Sequence, residues 1–217
     1  MRQYILSFLA ALIFVHSFAQ DNVNQPIIDS LLNLITRTTP QHQRAKYYNE
    51  IARYTSNTDT MLKYANWAID LCGERDTLQR TKANYYVGKA YYMSDKAQNA
   101  IAPFLRVAQL SNQTANYDGE GKAYIALGCC YEDLNEQDSI FYYFKKVLRT
   151  FIDCKDTAFI SHTYQRIGQL YANIEFFSAA QDNYQQALHY ISTTKDTLEI
   201  ATCNYLIGDL QQKWEIY

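Results

Sequence analysis

The sequence predicts an all-α protein, an α-solenoid of stacked antiparallel helix pairs with a period of about forty residues. Three observations carry that prediction. Glycine recurs at Gly88, Gly128, Gly168 and Gly208, forty residues apart each time. Aromatic and small residues recur in fixed register with those glycines. The chain of 217 residues has only 3 prolines and 7 glycines, too few turn residues for a sandwich or barrel. With 48% apolar residues it has the material for a core, which excludes wholesale disorder.

The N-terminus stands apart from the repeat. "MRQYILSFLAALIFVHSFAQDN" places Arg2 before an apolar run from Tyr4 to Val15, then small residues at Ser17 and Ala19. This reads as a secretory signal peptide over 1–19. Its apolar run is short of the roughly 20 residues that a spanning helix needs. The mature chain from Gln20 would keep 19 basic against 22 acidic residues. It is expected to be exported, to a periplasmic or extracytoplasmic site. Membrane contact would require an uncleaved N-terminal segment or a downstream span. Next, "PIIDSLLNLI" sets Ile27, Ile28, Leu31, Leu34 and Ile35 at helical spacing, a capping helix within 20–36.

The array follows over 37–217. Its first unit, about 39–75, is looser. Thr39-Pro40 suggests a cap with proline in the first turn, followed by "QRAKYYNEIARY" and, from Asp59, "DTMLKYANWAIDLC". Units 76–115, 116–155 and 156–195 are strict. Three residues after each glycine stands Tyr91, Tyr131 or Tyr171, on the same helix face. At twelve, sixteen and nineteen residues stand Ala100, Phe104 and Val107; then Ile140, Phe144 and Val147; then Ala180, Tyr184 and Ala187. That spacing stripes a second helix. The turns between the paired helices are expected at Ser94-Asp95, Asn135 and Asn173 to Glu175. A glycine costs about 1 kcal/mol inside a helix, and close approach of the two helices would offset it. Asp76, Asn116, Asp156 and Asp196 are also forty apart and suit helix N-caps. Gln79 and Glu199 complete a capping-box pattern with two of them. The unit at 196–217 is incomplete, with one helix.

"IGQLYANIEFFSAAQDNYQQAL" (167–188), with its counterparts at 87–108 and 127–148, resembles the tetratricopeptide repeat. That family carries Leu-Gly-x-x-Tyr in its first helix and Ala-x-x-x-aromatic-x-x-Ala-Leu in its second. The resemblance covers roughly 40–217 and implies a right-handed solenoid. Departures are the longer period, Asn84 and Asn204 in place of an aromatic, Ile140 in place of a small alanine, and Asn112, Ile152 and Ser192 where the family ends in proline. The resemblance also implies a concave face lined by first helices. Its groove positions are Lys82, Tyr85, Lys89 and Tyr92; Lys122, Ile125, Cys129 and Glu132; and His162, Gln165, Gln169 and Ala172. Tyrosine and lysine there suit an extended peptide or an acidic tail. The family's chaperone-tail clamp pairs Lys with Asn one turn apart. Tyr85 and Lys89 stand at those positions, so that activity is not carried over. The implied function is a non-enzymatic scaffold binding a protein or peptide. An alternative is the sensor region of a membrane-linked signalling or transcriptional regulator.

The residues offer little catalytic chemistry. His42, His162 and His189 form no metal-binding helical pair, and no nucleophile elbow or phosphate loop is present. Glu132 and Asp133 are neighbours pointing about 100° apart on a helix, which suits a solvated face. Cys72, Cys129, Cys130, Cys154 and Cys203 include no Cys-x-x-Cys pair, leaving buried thiols or one long-range disulfide as the readings. No enzyme activity, cofactor or metal is expected. A net charge of −2 without a basic run argues against a nucleic-acid partner. Cys130 shares the apolar slot of Ala90, Leu170 and Leu210. Cys129 shares the groove slot of Lys89, Gln169 and Asp209, so Cys129 is the accessible thiol of the pair.

Overall fold

The computed structural model describes residues 24–153, 155–194 and 196–214, so the signal peptide and Cys154 lie outside the described residues. Those residues form helices joined by short turns. After α1 (24–34) come α2 (Gln41–Tyr54), α3 (Thr58–Leu71), α4 (Thr77–Met93), α5 (Ala97–Gln113) and α6 (Tyr117–Asp133). Then follow α7 (Gln137–Asp153), α8 (Thr157–Asn173), α9 (Phe177–Ser192) and α10 (Thr197–Trp214). The chain divides between Thr114 and Ala115 into two compact units. Within the first, α2 to α5 pack consecutively; within the second, α6 to α10 do.

Caps and turns set the period. The backbone N–H groups of Gln79, Gly119, Phe159 and Glu199 donate to the side chains of Asp76, Asn116, Asp156 and Asp196 at 3.4, 3.0, 3.2 and 3.2 Å. The expected capping boxes do not close. Gln79 Oε1 instead accepts from Asn49 Nδ2 at 3.0 Å, and Glu199 Oε2 accepts from Gln165 Nε2 at 3.2 Å. Both side chains tie helices together, because a neighbouring first helix offers a donor within reach. In the first unit, α2 starts after Pro40, not with proline in its first turn, and α3 is capped by Asn57, two residues before Asp59.

Helix ends recur every twenty residues. Asp95, Ala115, Asn135, Lys155 and Glu175 all have φ between 52° and 60°, the left-handed conformation that reverses the chain. After α4, α6 and α8 the repeat tyrosine closes the turn with its carbonyl, which accepts from the N–H five residues on: Lys96 to Tyr91, Glu136 to Tyr131 and Phe176 to Tyr171, at 3.0, 3.0 and 2.9 Å.

The strict glycines meet their aromatic partners. A Cβ on Gly88 would stand 2.7 Å from the Phe104 ring, on Gly128 2.9 Å from Phe144, and on Gly168 2.6 Å from Tyr184. The ring of the second helix lies on the bare backbone of the first. Gly121 is a second such point, beneath Phe151. Gly208 differs, since nothing among the described residues lies within 4 Å of a Cβ there.

The first unit follows the same plan one residue out of step. The α2–α3 hairpin buries Asn49, Ala52, Met61, Ala65 and Ala68. Counted from Asn49 these are the +3, +12, +16 and +19 positions, so the spacing from Asn49 to Gly88 is 39. Sizes are exchanged: the larger Asn49 takes the glycine slot and the small Ala65 the aromatic slot.

Candidate binding face

In the N-terminal unit, α2 and α4 lie side by side. Lys82, Tyr85, Lys89 and Tyr92 run along α4, each half-buried. The corrected register adds Gln43, Lys46, Glu50 and Arg53 on α2. Glu50 joins the helices: its carboxylate is 3.8 Å from Lys82 Nζ and 3.5 Å from Arg53 Nη1. The face therefore holds Lys46, Arg53, Lys82 and Lys89 against one carboxylate. Tyrosines floor it. Tyr85 lies 5.5 Å from Tyr86 and 6.0 Å from Phe104, and the Arg53 guanidinium sits 5.5 Å from the Tyr54 ring. Burial, with Glu50 adding to it, pushes the Tyr86 phenol up to about 12 while Arg53 opposes; Tyr86 is a neutral donor at physiological pH.

Beneath this face is a neutral lock. Asn49 is 1% exposed, and its Nδ2 donates to both the backbone carbonyl and Oε1 of Gln79 at 3.0 Å. The lock holds α2 to α4 without using a surface charge.

The C-terminal unit spends its charges on itself. Lys122 Nζ is 2.8 Å from Asp118, Glu132 is 2.6 Å from Arg166, and His162 Nε2 is 3.7 Å from Glu199. Gln169 donates to Asn173 at 3.0 Å. Two expected groove residues also make contacts with neighbouring helices. Gln165 is buried, its amide within 3.2 Å of Glu199, 3.3 Å of Cys203 Sγ and 3.5 Å of Ser161 Oγ. Ile125 packs against the cluster of Val147, Phe151 and Ile160. Tyrosine is consumed here as packing: Tyr131 stacks on Tyr143 and Tyr164 on Tyr190.

Cys129 and Cys130 differ as their slots imply. Cys130 is wholly buried, and burial pushes its thiol up to about 12. Cys129 is half-buried; burial raises its thiol too, with Arg166 opposing and Glu132 and Asp133 adding to the rise. Cys72, Cys129, Cys130 and Cys203 are free thiols, so no disulfide joins the described cysteines to one another.

Among solved structures, the chain is similar to the apo form of RapI, with a TM-score of 0.73 at 16% identity over 97% of this chain and 77% of that one. It is similar to a STAND signal transduction ATPase with a tetratricopeptide repeat sensor from Pyrococcus horikoshii, with a TM-score of 0.72 at 12% identity over 86% of this chain and 30% of that one. The fold is tetratricopeptide-like. A third similarity, to aspartyl phosphate phosphatase F from Bacillus subtilis, has a TM-score of 0.70 at 14% identity over 78% of this chain; the chain spans 45% of that protein's length. No family model and no curated protein matches the sequence. At these identities the tetratricopeptide-like relationship is one of fold. Within that fold, sequence reasoning missed Lys46, Glu50, Arg53 and Tyr86 on the N-terminal face. Reading the first unit from Asn49 would have found the three on α2.

Proposed function

We propose that the chain is an exported, non-enzymatic repeat scaffold that captures an extended acidic segment of a protein or peptide on the first-helix face of its N-terminal unit. One observation carries this reading: Lys46, Arg53, Lys82 and Lys89 share a tyrosine-floored face with Glu50 as the carboxylate bridging its two helices. Cations there attract carboxylates, while the phenols donate hydrogen bonds and cover aliphatic stems. Cys129, the accessible thiol of the Cys129–Cys130 pair, supports the non-enzymatic reading: burial and the acids beside it hold it as a thiol, not a thiolate.

The test is binding of a fluorescently labelled Glu- and Asp-rich peptide. Lys89→Glu combined with Tyr92→Ala should weaken it about tenfold or more, with helical circular dichroism unchanged, and added salt should weaken it further. His162→Ala in the C-terminal unit should leave it unaltered. Equal affinity for a Lys-rich peptide, or indifference to the double substitution, would overturn the assignment.

A second reading, the extracytoplasmic sensor region of a membrane-linked regulator, is favoured by similarity to the ATPase whose repeats are described as its sensor. No helix among the described residues is long and apolar enough to cross a membrane. In that reading the attachment comes from the N-terminal segment or from a span beyond these residues.

A further inference from the structure

Glu50 stands between two of the cations of the N-terminal face. Its carboxylate oxygens lie 3.5 Å from Arg53 Nη1 on α2 and 3.8 Å from Lys82 Nζ on α4. Its side chain is 22% exposed, against 60% for Arg53 and 41% for Lys82, so it is set deeper than the cations it pairs with. Both distances are long for charge-assisted hydrogen bonds, which run at about 2.7–2.9 Å. In the C-terminal unit, Glu132 and Arg166 close to 2.6 Å, and Asp118 and Lys122 to 2.8 Å. The Glu50 pairs are loose by comparison, and the guanidinium and ammonium groups have more N–H donors than one carboxylate takes up.

The two helices do not depend on this carboxylate to stay together. Beneath it, Asn49 donates to both Gln79 oxygens at 3.0 Å and ties α2 to α4 out of reach of solvent. Glu50 instead puts a negative charge where an acidic ligand would put its own. A ligand carboxylate that approaches Arg53 or Lys82 meets a like charge on the same two groups. It must share them or displace Glu50, and like charges at contact distance repel. We infer, resting on the acidic-segment reading above, that Glu50 is a built-in competitor: it engages Arg53 and Lys82 as a ligand carboxylate would, and so lowers the affinity of the face for acidic segments.

Glu50→Gln removes the charge and keeps the shape, so helical circular dichroism should hold. Its binding is compared with that of the unsubstituted chain, using the fluorescent Glu- and Asp-rich peptide and a Gln- and Asn-rich counterpart. Affinity for the acidic peptide should rise at least about threefold. The rise should be larger for a peptide with more carboxylates and should shrink as salt is added. The neutral peptide should show no such gain. If the unsubstituted chain binds the acidic peptide and Glu50→Gln binds it no more tightly, the inference falls while the acidic-segment reading stands. Weaker binding of both peptides would do the same, by showing that Glu50 shapes the face instead of competing for it. If the unsubstituted chain does not bind the acidic peptide, both fall together.

Discussion

The two units lock their first helices together by different means, and the difference decides which face is left open. In the N-terminal unit, a buried amide, Asn49 on Gln79, lies under the surface. Above it one carboxylate, Glu50, pairs with both Lys82 and Arg53, so the four cations of the face outnumber it. In the C-terminal unit the lock is on the surface. Glu132 pairs with Arg166 across neighbouring first helices, His162 Nε2 lies 3.7 Å from Glu199, and Gln165 is drawn in behind. Exposed ion pairs of this kind contribute only about 0–1 kcal/mol each. Their larger consequence is electrostatic: they cancel the charge that a ligand would need. A repeat fold can thus place the same four positions on each first helix and still give one face with unbalanced positive charge and one whose charges are largely paired.

The most damaging way to test that contrast is to overfill a ring-on-glycine contact. Gly168→Leu would drive a side chain into Tyr184 and toward the Ala180 carbonyl, 3.2 Å from the new Cβ. Overpacking of this kind costs about 1–3 kcal/mol or more, read as a lowered melting temperature. The same change at Gly208 should cost far less, since nothing among the described residues lies within 4 Å of a Cβ there. Equal effects at both sites would show that the rings do not set the packing.

Next in size is the buried lock. Asn49→Ala removes the donor to both Gln79 oxygens and should cost about 1–3 kcal/mol. It should also loosen the α2–α4 face and weaken acidic-peptide binding. Glu132→Gln in the C-terminal unit should cost less than about 1 kcal/mol. If the two substitutions destabilise alike, the contrast between buried and surface locks fails.

These sites also show what could be read in the sequence. Gly88 with Phe104, Gly128 with Phe144 and Gly168 with Tyr184 were legible because each pair keeps its small and large members in fixed places. Asn49 with Ala65 was hidden because the sizes are exchanged and the register slips by one, so the hairpin looked degenerate. Gly121 beneath Phe151 escaped notice for a similar reason. The same slots hold Thr81 and Ser111 in one unit and Ser161 and Ile191 in another. The N-caps were legible because a cap is local. The fates of Gln79, Gln165 and Glu199 were not, because each depends on a side chain 30 or 34 residues away in sequence.

A smaller effect is expected at the turns. Lys155 holds φ at 59° without being glycine or asparagine. Left-handed backbone costs an ordinary residue about 1 kcal/mol. Lys155→Gly should recover part of that, raising the melting temperature slightly. Asn135→Gly should recover less, because asparagine already tolerates the conformation. A loss of stability at Lys155 would mean that its side chain contributes more than the strain it bears.

The gentlest probe is alkaline pH, and it returns to the contrast between the units. Burial pushes Tyr86 in the N-terminal unit, and Tyr124 and Tyr143 in the C-terminal one, from an ordinary value near 10 to about 12; Cys130 rises from near 9 to about 12 and Cys72 to about 11. Each folded value is raised, so the fold favours the neutral form. That stability is fully present below the unfolded value and is lost as pH climbs through the folded one. The C-terminal unit holds more such groups, so it should unfold first between pH 9 and 12. Trp67 reports on the N-terminal unit and Trp214 on the C-terminal one, so single-tryptophan variants can separate the two transitions by fluorescence. Cys130→Ala should delay only the C-terminal transition. Simultaneous transitions, unmoved by that change, would mean that burial of these groups does not distinguish the units.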